Sequence, residues 1–198
     1  MRRCDLALLL LGAACLPAIA TAPAAAQDSQ PADALSQQLF GRAVGASQAH
    51  VCFKRRYDAG HLATHPRQNV TAMLLLVSNN PDPEASSSYS VDIGVTFRNR
   101  KSHFEVGGFC SKGASGLDCG VECDGGKIDV AIRDGNSVLV KIPDGARVSR
   151  PGASGDDSVS GKTFGSDDKV FRLDRAGLSE CLPIVHDAKK RGALRRGG

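Results

Sequence analysis

Five consecutive segments between residues 91 and 142 alternate apolar and polar side chains. In the first segment Val91, Ile93, Val95 and Phe97 are separated by polar residues or glycine. A period of two is that of a β-strand with one buried and one exposed face. The apolar positions of the four later segments are Phe104, Val106, Gly108 and Cys110; Leu117, Cys119, Val121 and Cys123; Ile128, Val130 and Ile132; and Val138, Val140 and Ile142. The pattern predicts an antiparallel meander.

The turns of this meander can be tested against the alternation, because antiparallel neighbours must place their apolar faces on the same side of the sheet. Short loops at 100–101, 114–115, 125–126 and 134–136 all satisfy this condition. The predicted cross-strand pairs are Phe97 with Phe104, Cys110 with Cys119, Cys123 with Ile128, and Ile132 with Val138.

Three further segments have strand composition, at residues 50–55, 69–79 and 169–173. About eight strands that follow one another predict an all-β domain over residues 49–185. The expected fold class is a mainly antiparallel small barrel or two-sheet sandwich of about 7–9 strands, with short N- and C-terminal helical turns. A barrel is the first choice because closure removes unpaired strand edges.

The first 26 residues have the pattern of a secretory signal peptide. A basic start and an apolar run over residues 6–20 precede a small-residue stretch that ends at Ala26, so cleavage is expected near Ala26/Gln27. No other run approaches the roughly 20 apolar residues needed to cross a bilayer. The sequence therefore predicts a soluble periplasmic or secreted protein, in which residues 27–48 form a linker with a possible short helix.

The net charge of +4 is concentrated at the C-terminus. Residues 186–198 contain five basic residues and one acidic residue, which leaves residues 27–185 with a net charge of −1. Nucleic-acid-binding domains usually spread basic residues over a folded face, so we expect no nucleic-acid partner. The basic segment is predicted to be a disordered tail, with weak contact to an anionic surface as its alternative role.

Five cysteines remain after the predicted cleavage, an odd number for an oxidising compartment. The expected register places Cys110 opposite Cys119, close enough for a disulfide. A second bridge between Cys52 and Cys181 would tie the first strand to the last and leave Cys123 as a free buried thiol. Pairing of Cys123 with Cys52 or Cys181 is the main competing arrangement.

The most site-like segment is residues 57–66, which contain Asp58, His61 and His65. Histidines four residues apart share one face of a helix and could bind a metal ion, with the aspartate as third ligand. The glutamate of the H-E-x-x-H metalloprotease motif is missing, and a short structural turn capped by Asp58 explains the same residues. This structural interpretation is favoured, and neither a metal nor a cofactor is predicted.

The acidic residues of the glycine-rich span 149–168 are the other candidate metal ligands, in this case for calcium. They are Asp156, Asp157, Asp167 and Asp168, and their spacing does not match a calcium-binding loop. Solvated loop carboxylates are expected instead.

The segment Y-D-x-x-H-L-x-x-H-P, taken with G-G-F-C and C-G-V-E-C-D-G-G, resembles uncharacterised exported proteins of Gram-negative bacteria. The resemblance runs from Cys52 to about Cys181. It implies an exported protein and no particular activity.

The sequence therefore predicts a non-enzymatic exported protein that binds a small apolar ligand inside the β domain or a protein partner at its loops, such as an envelope accessory protein. The alternative is a metal-dependent or hydrolase-like enzyme centred on Asp58, His61 and His65.

Overall fold

The structure is a computed structural model, which describes residues 34–82, 85, 87–122, 124–153, 158–159 and 163–197. The predicted signal peptide (residues 1–26), the predicted free thiol of Cys123 and the predicted loop acids Asp156 and Asp157 lie outside the described residues. No helix within the described ranges is long and apolar enough to span a membrane.

The described residues form mainly β-strands, with a few short helices. The strands are β1 (His50–Arg56), β2 (Val70–Asn79), β3 (Tyr89–Phe97), β4 (Phe104–Lys112), β5 (Gly116–Val121), β6 (Lys127–Asp134), β7 (Ser137–Lys141), β8 (Val148–Ser149), β9 (Ser158–Val159) and β10 (Val170–Ala176). The helices are α1 (Ala34–Phe40), α2 (Ala59–Thr64), a 3-10 helix (Leu178–Ile184) and α3 (Ala188–Arg196).

Eight of these strands close into an antiparallel barrel. The order around the wall is β3-β2-β1-β10-β7-β6-β5-β4, and pairing between β3 and β4 completes the circle. The predicted all-β fold class is confirmed, and the architecture is the barrel rather than the sandwich. The short strand β8 pairs with β4 at a single position, Ser149 opposite Glu105, and β9 extends from β8.

The register agrees with the sequence at two of the four predicted hairpins. Cys110 pairs with Cys119, and Ile132 pairs with Val138 across a turn that contains a bulge. The predicted pairing of Phe97 with Phe104 is wrong by two residues, because Val95 stands opposite Phe104.

The predicted third hairpin is also wrong. Ile128 pairs with Cys119 and not with Cys123, a shift of four residues. Gly126 does not sit at the tip of a tight two-residue turn, because it bridges to Ala146 outside the hairpin.

The inward side chains of all eight barrel strands form one buried apolar cluster. Large side chains such as Phe53, Phe171 and Leu75 are at most 1% exposed. Helix α1 adds Leu35 and Leu39 to the same cluster, so this part of the predicted linker is packed against the barrel.

The C-terminal segment packs on the outside of the barrel. Cys52, Leu76, Cys181, Ile184, Val185 and Leu194 form a second buried cluster there. The predicted disordered tail is therefore wrong for residues 188–196, which form helix α3 with Leu194 fully buried. A single leucine among basic residues is too weak a periodic signal to predict this packing.

Candidate functional site

The segment with Asp58, His61 and His65 forms the short helix α2 between β1 and β2. Asp58 is the N-cap residue, and its Oδ1 accepts a hydrogen bond of 2.7 Å from the backbone N–H of His61. This hydrogen bond lowers the pKa of the Asp58 carboxyl group. The Asp58 carboxylate therefore caps the N-terminus of helix α2, which is the structural role that the sequence analysis favoured.

The two histidines stack face to face. Their ring centroids are 4.1 Å apart with an interplanar angle of 12°, and the ring of Tyr57 also stacks on His61, at 4.6 Å. His61 Nε2 donates to Gln68 Oε1 at 2.9 Å. A metal ion binds in the plane of an imidazole ring, and nearly parallel stacked rings do not direct their nitrogen lone pairs to one point.

The stacked histidines and the capping carboxylate are therefore not arranged around one metal-binding point. Among all described residues, no group of three histidine, cysteine, aspartate or glutamate side chains is arranged to hold a metal ion. Arg98 fixes helix α2 instead, because its guanidinium donates to the carbonyl oxygens of Leu62, His65 and Gln68.

Asp168 is a buried anchor and not the solvated loop acid that the sequence predicted. It has no exposed surface, and its carboxylate accepts hydrogen bonds from the backbone N–H groups of Asn69, Val70 and Gly165. Burial raises the pKa of Asp168, and these hydrogen bonds act in the opposite direction. The residue joins the loop before β10 to the start of β2.

The cysteines pair as the sequence analysis preferred. Cys110 and Cys119 form a disulfide within the barrel core, and Cys52 and Cys181 form a second one that joins β1 to the 3-10 helix. Cys52 and Cys181 are completely buried. This second bridge holds the C-terminal segment on the outer wall of the barrel.

A cleft, here called the outer trench, lies on the outside of the barrel wall. Its floor consists of the outward residues Asp92 of β3 and Glu105, Gly107 and Phe109 of β4. Lys190 of α3 lies on one side, and residues 147–149 with Ala153 lie on the other. The cleft has a volume of about 660 Å³, within the range of ligand sites in proteins.

An adjoining cavity of about 270 Å³ extends the outer trench towards the C-terminal segment. The carboxylate of Glu105 lines this cavity and accepts several hydrogen bonds. His103 Nε2 donates to Glu105 Oε1 at 2.9 Å, and His186 Nε2 donates to Oε2 at 2.8 Å. The backbone N–H of Gly152 donates to the same carboxylate at 3.2 Å. Glu105 thus closes this end by joining β4 to two distant parts of the chain, the loop at Gly152 and the C-terminal segment at His186.

Phe109 is exposed at the opposite end of the outer trench. Its side chain is 57% exposed, although the neighbouring inward residues are buried. The cross-strand partner of Phe109 on β5 is Gly120, which has no side chain to cover the ring. The outer trench therefore combines an open aromatic face with a bare backbone floor at Gly107.

His50, at the start of β1, lies close enough to Lys190 of α3 and Asp92 of β3 to feel both charges. Its Nδ1 is hydrogen bonded to Ser78 Oγ at 2.8 Å, and its buried Nε2 has no hydrogen-bond partner among the described residues. Burial lowers the pKa of His50, and the positive charge of Lys190 acts in the same direction, while Asp92 raises it.

A comparison with known protein families, curated proteins and solved structures finds no match to this chain. The outer trench was not predicted from the sequence, because its residues come from β3, β4, β8 and the C-terminal segment. The only local signal was the alternation itself, which places Phe109 on the outward face of β4, where an aromatic residue is unusual.

Proposed function

We propose that this chain is a non-enzymatic, exported binding protein that takes a protein partner on the outer wall of its barrel. The single observation that carries the proposal is the packing of the barrel interior. The inward positions of all eight strands belong to one apolar cluster, and interiors of eight-stranded barrels are either filled in this way or hold one small ligand. We take this cluster as a filled interior, and a filled interior would direct binding to the surface.

Export is supported by the disulfides and by the N-terminal sequence. Disulfides form and persist in oxidising compartments, and the described residues contain two, with sequence separations of 129 and 9 residues. The pattern of residues 1–26 supplies the corresponding signal peptide. A periplasmic or secreted location, with a mature chain that begins at Gln27, is part of the proposal.

A protein partner fits the exposed surface better than a small apolar ligand. Phe109 is exposed in a cleft that is also lined by five charged residues, Asp92, Glu105, Glu122, Arg147 and Lys190. An aromatic residue surrounded by polar groups is typical of protein-recognition surfaces.

Native mass spectrometry of the protein purified from the periplasm of the organism that encodes it tests this proposal. We expect a mature mass that begins at Gln27, two disulfides and a non-covalent complex with a second protein, without a retained small molecule. A stoichiometric apolar ligand that survives purification would support binding inside the barrel and contradict the proposal. A chain found only as the free mature protein, under conditions that preserve known periplasmic complexes, would also contradict it.

A further inference from the structure

We propose that a second cleft on the outer wall of the barrel binds the phosphate group of a ligand. This cleft, here called the basic cleft, lies on strands β1, β2 and β3 beside the 3-10 helix and has a volume of about 530 Å³. It is separate from the outer trench, because no residue lines both. Phosphate binding there adds a second ligand to the proposed function and does not depend on the protein partner.

Two exposed cations of β1 stand at the edge of the basic cleft. Lys54 and Arg56 are two residues apart on the strand, so they lie on the same face at a separation of about 6.6 Å along the backbone. Their cross-strand neighbours on β2 and β3 are uncharged. These neighbours are Leu74 and Gly94 for Lys54, and Ala72 and Thr96 for Arg56. One small anionic group on this uncharged floor would lie beside both cations.

The ion pairs of the basic cleft leave one of its cations unused. Glu180 is paired with Lys54 at 2.7 Å, and Asp174 lies 3.5 Å from Arg55. Arg56 lines the same cleft and pairs with no carboxylate among the described residues. Both carboxylates of the lining are therefore occupied, while Arg56 is free to bind an anion.

The lining as a whole carries a net charge of +2. Its four cations are Lys54, Arg55, Arg56 and Arg175, and its two carboxylates are Asp174 and Glu180. The guanidinium of Arg175 donates to the backbone carbonyl oxygens of Gly135 and Leu39, which do not neutralise its charge, so this residue contributes to the field without contacting the ligand.

Two charged neighbours outside the lining leave this balance unchanged. Arg172 of β10 lies 3.0 Å from Asp174, so this carboxylate is shared between two arginines. Asp134 in turn lies close enough to Arg172 to feel its charge. The positive and the negative neighbour offset each other.

A phosphate monoester matches both the charge and the donors of the basic cleft. It carries about −1.5 to −2 charges at pH 7 and three acceptor oxygens, whereas a carboxylate carries a single charge. Arginine binds phosphate oxygens in a bidentate manner, and lysine acts as a point charge. Because the side chain of Lys54 is 50% exposed, we expect reversible binding that does not survive purification.

Isothermal titration calorimetry with inorganic phosphate, glucose 6-phosphate, glucose and acetate tests the chemistry of the ligand. We expect saturable binding of one phosphate or glucose 6-phosphate per chain, at least fivefold weaker binding of acetate, and none of glucose. Sedimentation with phosphatidylcholine vesicles, with and without phosphatidic acid, is the third arm. The phosphate probe that binds most tightly identifies the source as a free ion, a sugar phosphate or a lipid headgroup.

Matched variants locate the binding in the basic cleft. Ala72→Glu and Ala72→Gln differ little in size, but only the glutamate places a carboxylate opposite Arg56. We expect Ala72→Glu to weaken phosphate binding at least tenfold and Ala72→Gln to retain most of it. Arg56→Gln should weaken binding at least fivefold. Arg133→Gln should not, because Arg133 is an exposed arginine of β6 outside the cleft.

The melting temperature of every variant is measured without ligand to exclude unfolding. Binding of none of the phosphate probes, acetate binding as tight as phosphate binding, or equal effects of the two Ala72 variants would overturn the proposal. An Arg133→Gln effect as large as that of Arg56→Gln would also overturn it. Loss of the native protein complex described above would remove the proposed function and leave the basic cleft standing, and failure of phosphate binding would do the reverse.

Discussion

Lys190 of helix α3 places its Nζ 2.9 Å from Oδ2 of Asp92 on strand β3, and this ion pair joins the C-terminal segment to the barrel wall. The two side chains are 21% and 32% exposed, so solvent screens the pair less than an ion pair on an open surface. Lys190 also forms one side of the outer trench. The ion pair therefore couples the position of α3 to the shape of the cleft.

Asp92→Asn should loosen helix α3 without unfolding the barrel. Loss of a partly buried ion pair is expected to cost about 1 kcal/mol, close to the upper end for surface pairs. Hydrogen exchange followed by mass spectrometry should show faster exchange in 188–196 and unchanged exchange in β6 and β7. Unchanged exchange in α3 would show that the ion pair does not hold the helix.

The stability of the protein should fall on mild acidification because of His50. Its pKa is lowered in the folded state, mainly by burial, so the unfolded chain binds the His50 proton more tightly. The free energy of unfolding therefore decreases as the pH falls below the ordinary histidine pKa of about 6.5 and levels off below the lowered folded pKa.

Urea unfolding at several pH values between 5 and 8 measures this effect. His50→Gln should have a shallower dependence of stability on pH than the native protein, because the amide side chain of glutamine does not titrate. The other histidines are retained in both proteins and serve as the internal control. Equal slopes for the two proteins would contradict the assignment to His50.

Asp168→Ala should destabilise the fold strongly. It leaves the backbone N–H groups of Asn69, Val70 and Gly165 without their carboxylate acceptor, at an expected cost of about 2–4 kcal/mol. Burial raises the pKa of Asp168, so the folded state binds the proton of this acid more tightly than the unfolded chain does. The free energy of unfolding of the native protein should therefore fall as the pH rises through that raised pKa. The difference in this free energy between the native protein and Asp168→Ala should shrink over the same pH range.

Chemical unfolding curves of both proteins at pH 4 and pH 7 test these two expectations. Asp167→Ala is the matched control, since Asp167 is the neighbouring carboxylate and forms an ion pair with Arg67, whose side chain is 75% exposed. A loss below about 0.5 kcal/mol for Asp168→Ala, as is typical of surface substitutions, would show that the buried carboxylate does not anchor the loop.

Gly94 is required because the C-terminal segment packs directly on it. A Cβ at this position would lie 2.4 Å from Cγ2 of Ile184. Gly94→Ala should therefore displace the 3-10 helix and lower stability by about 1–3 kcal/mol through overpacking. In a Gly94→Ala protein, the second substitution Ile184→Ala should recover part of this loss, since it removes the clashing methyl group.

A double-mutant cycle on urea unfolding measures the coupling between these two positions. A favourable coupling of about 1 kcal/mol or more is expected. Simple additivity of the two single substitutions would mean that Ile184 does not pack on Gly94.

The sequence predicted the faces of the strands better than their register. Alternation identifies inward positions, and a slip of two or four residues leaves every face unchanged, so the pairs Phe97–Phe104 and Cys123–Ile128 satisfied the pattern although both are wrong. The Cys110–Cys119 pair was predicted correctly because a short turn joins β4 to β5.

The residues around the outer trench and the anchoring role of Asp168 were less predictable than the fold. Both depend on contacts between segments that are far apart in the sequence. Helix α3 depends on the burial of Leu194, and Asp168 depends on donors almost 100 residues earlier in the chain. Asp58 was predictable as a helix cap because capping is a local interaction.

Titration with N-phenyl-1-naphthylamine, an apolar dye that fluoresces on leaving water, shows directly whether the barrel interior is a packed core or a ligand cavity. The dye is added to the mature protein and to Phe109→Ala. With a filled interior, we expect no saturable binding to Phe109→Ala, and at most weak binding to the native protein through the exposed ring. Saturable binding of one dye per chain that persists in Phe109→Ala would place a cavity inside the barrel and contradict binding on the outer wall.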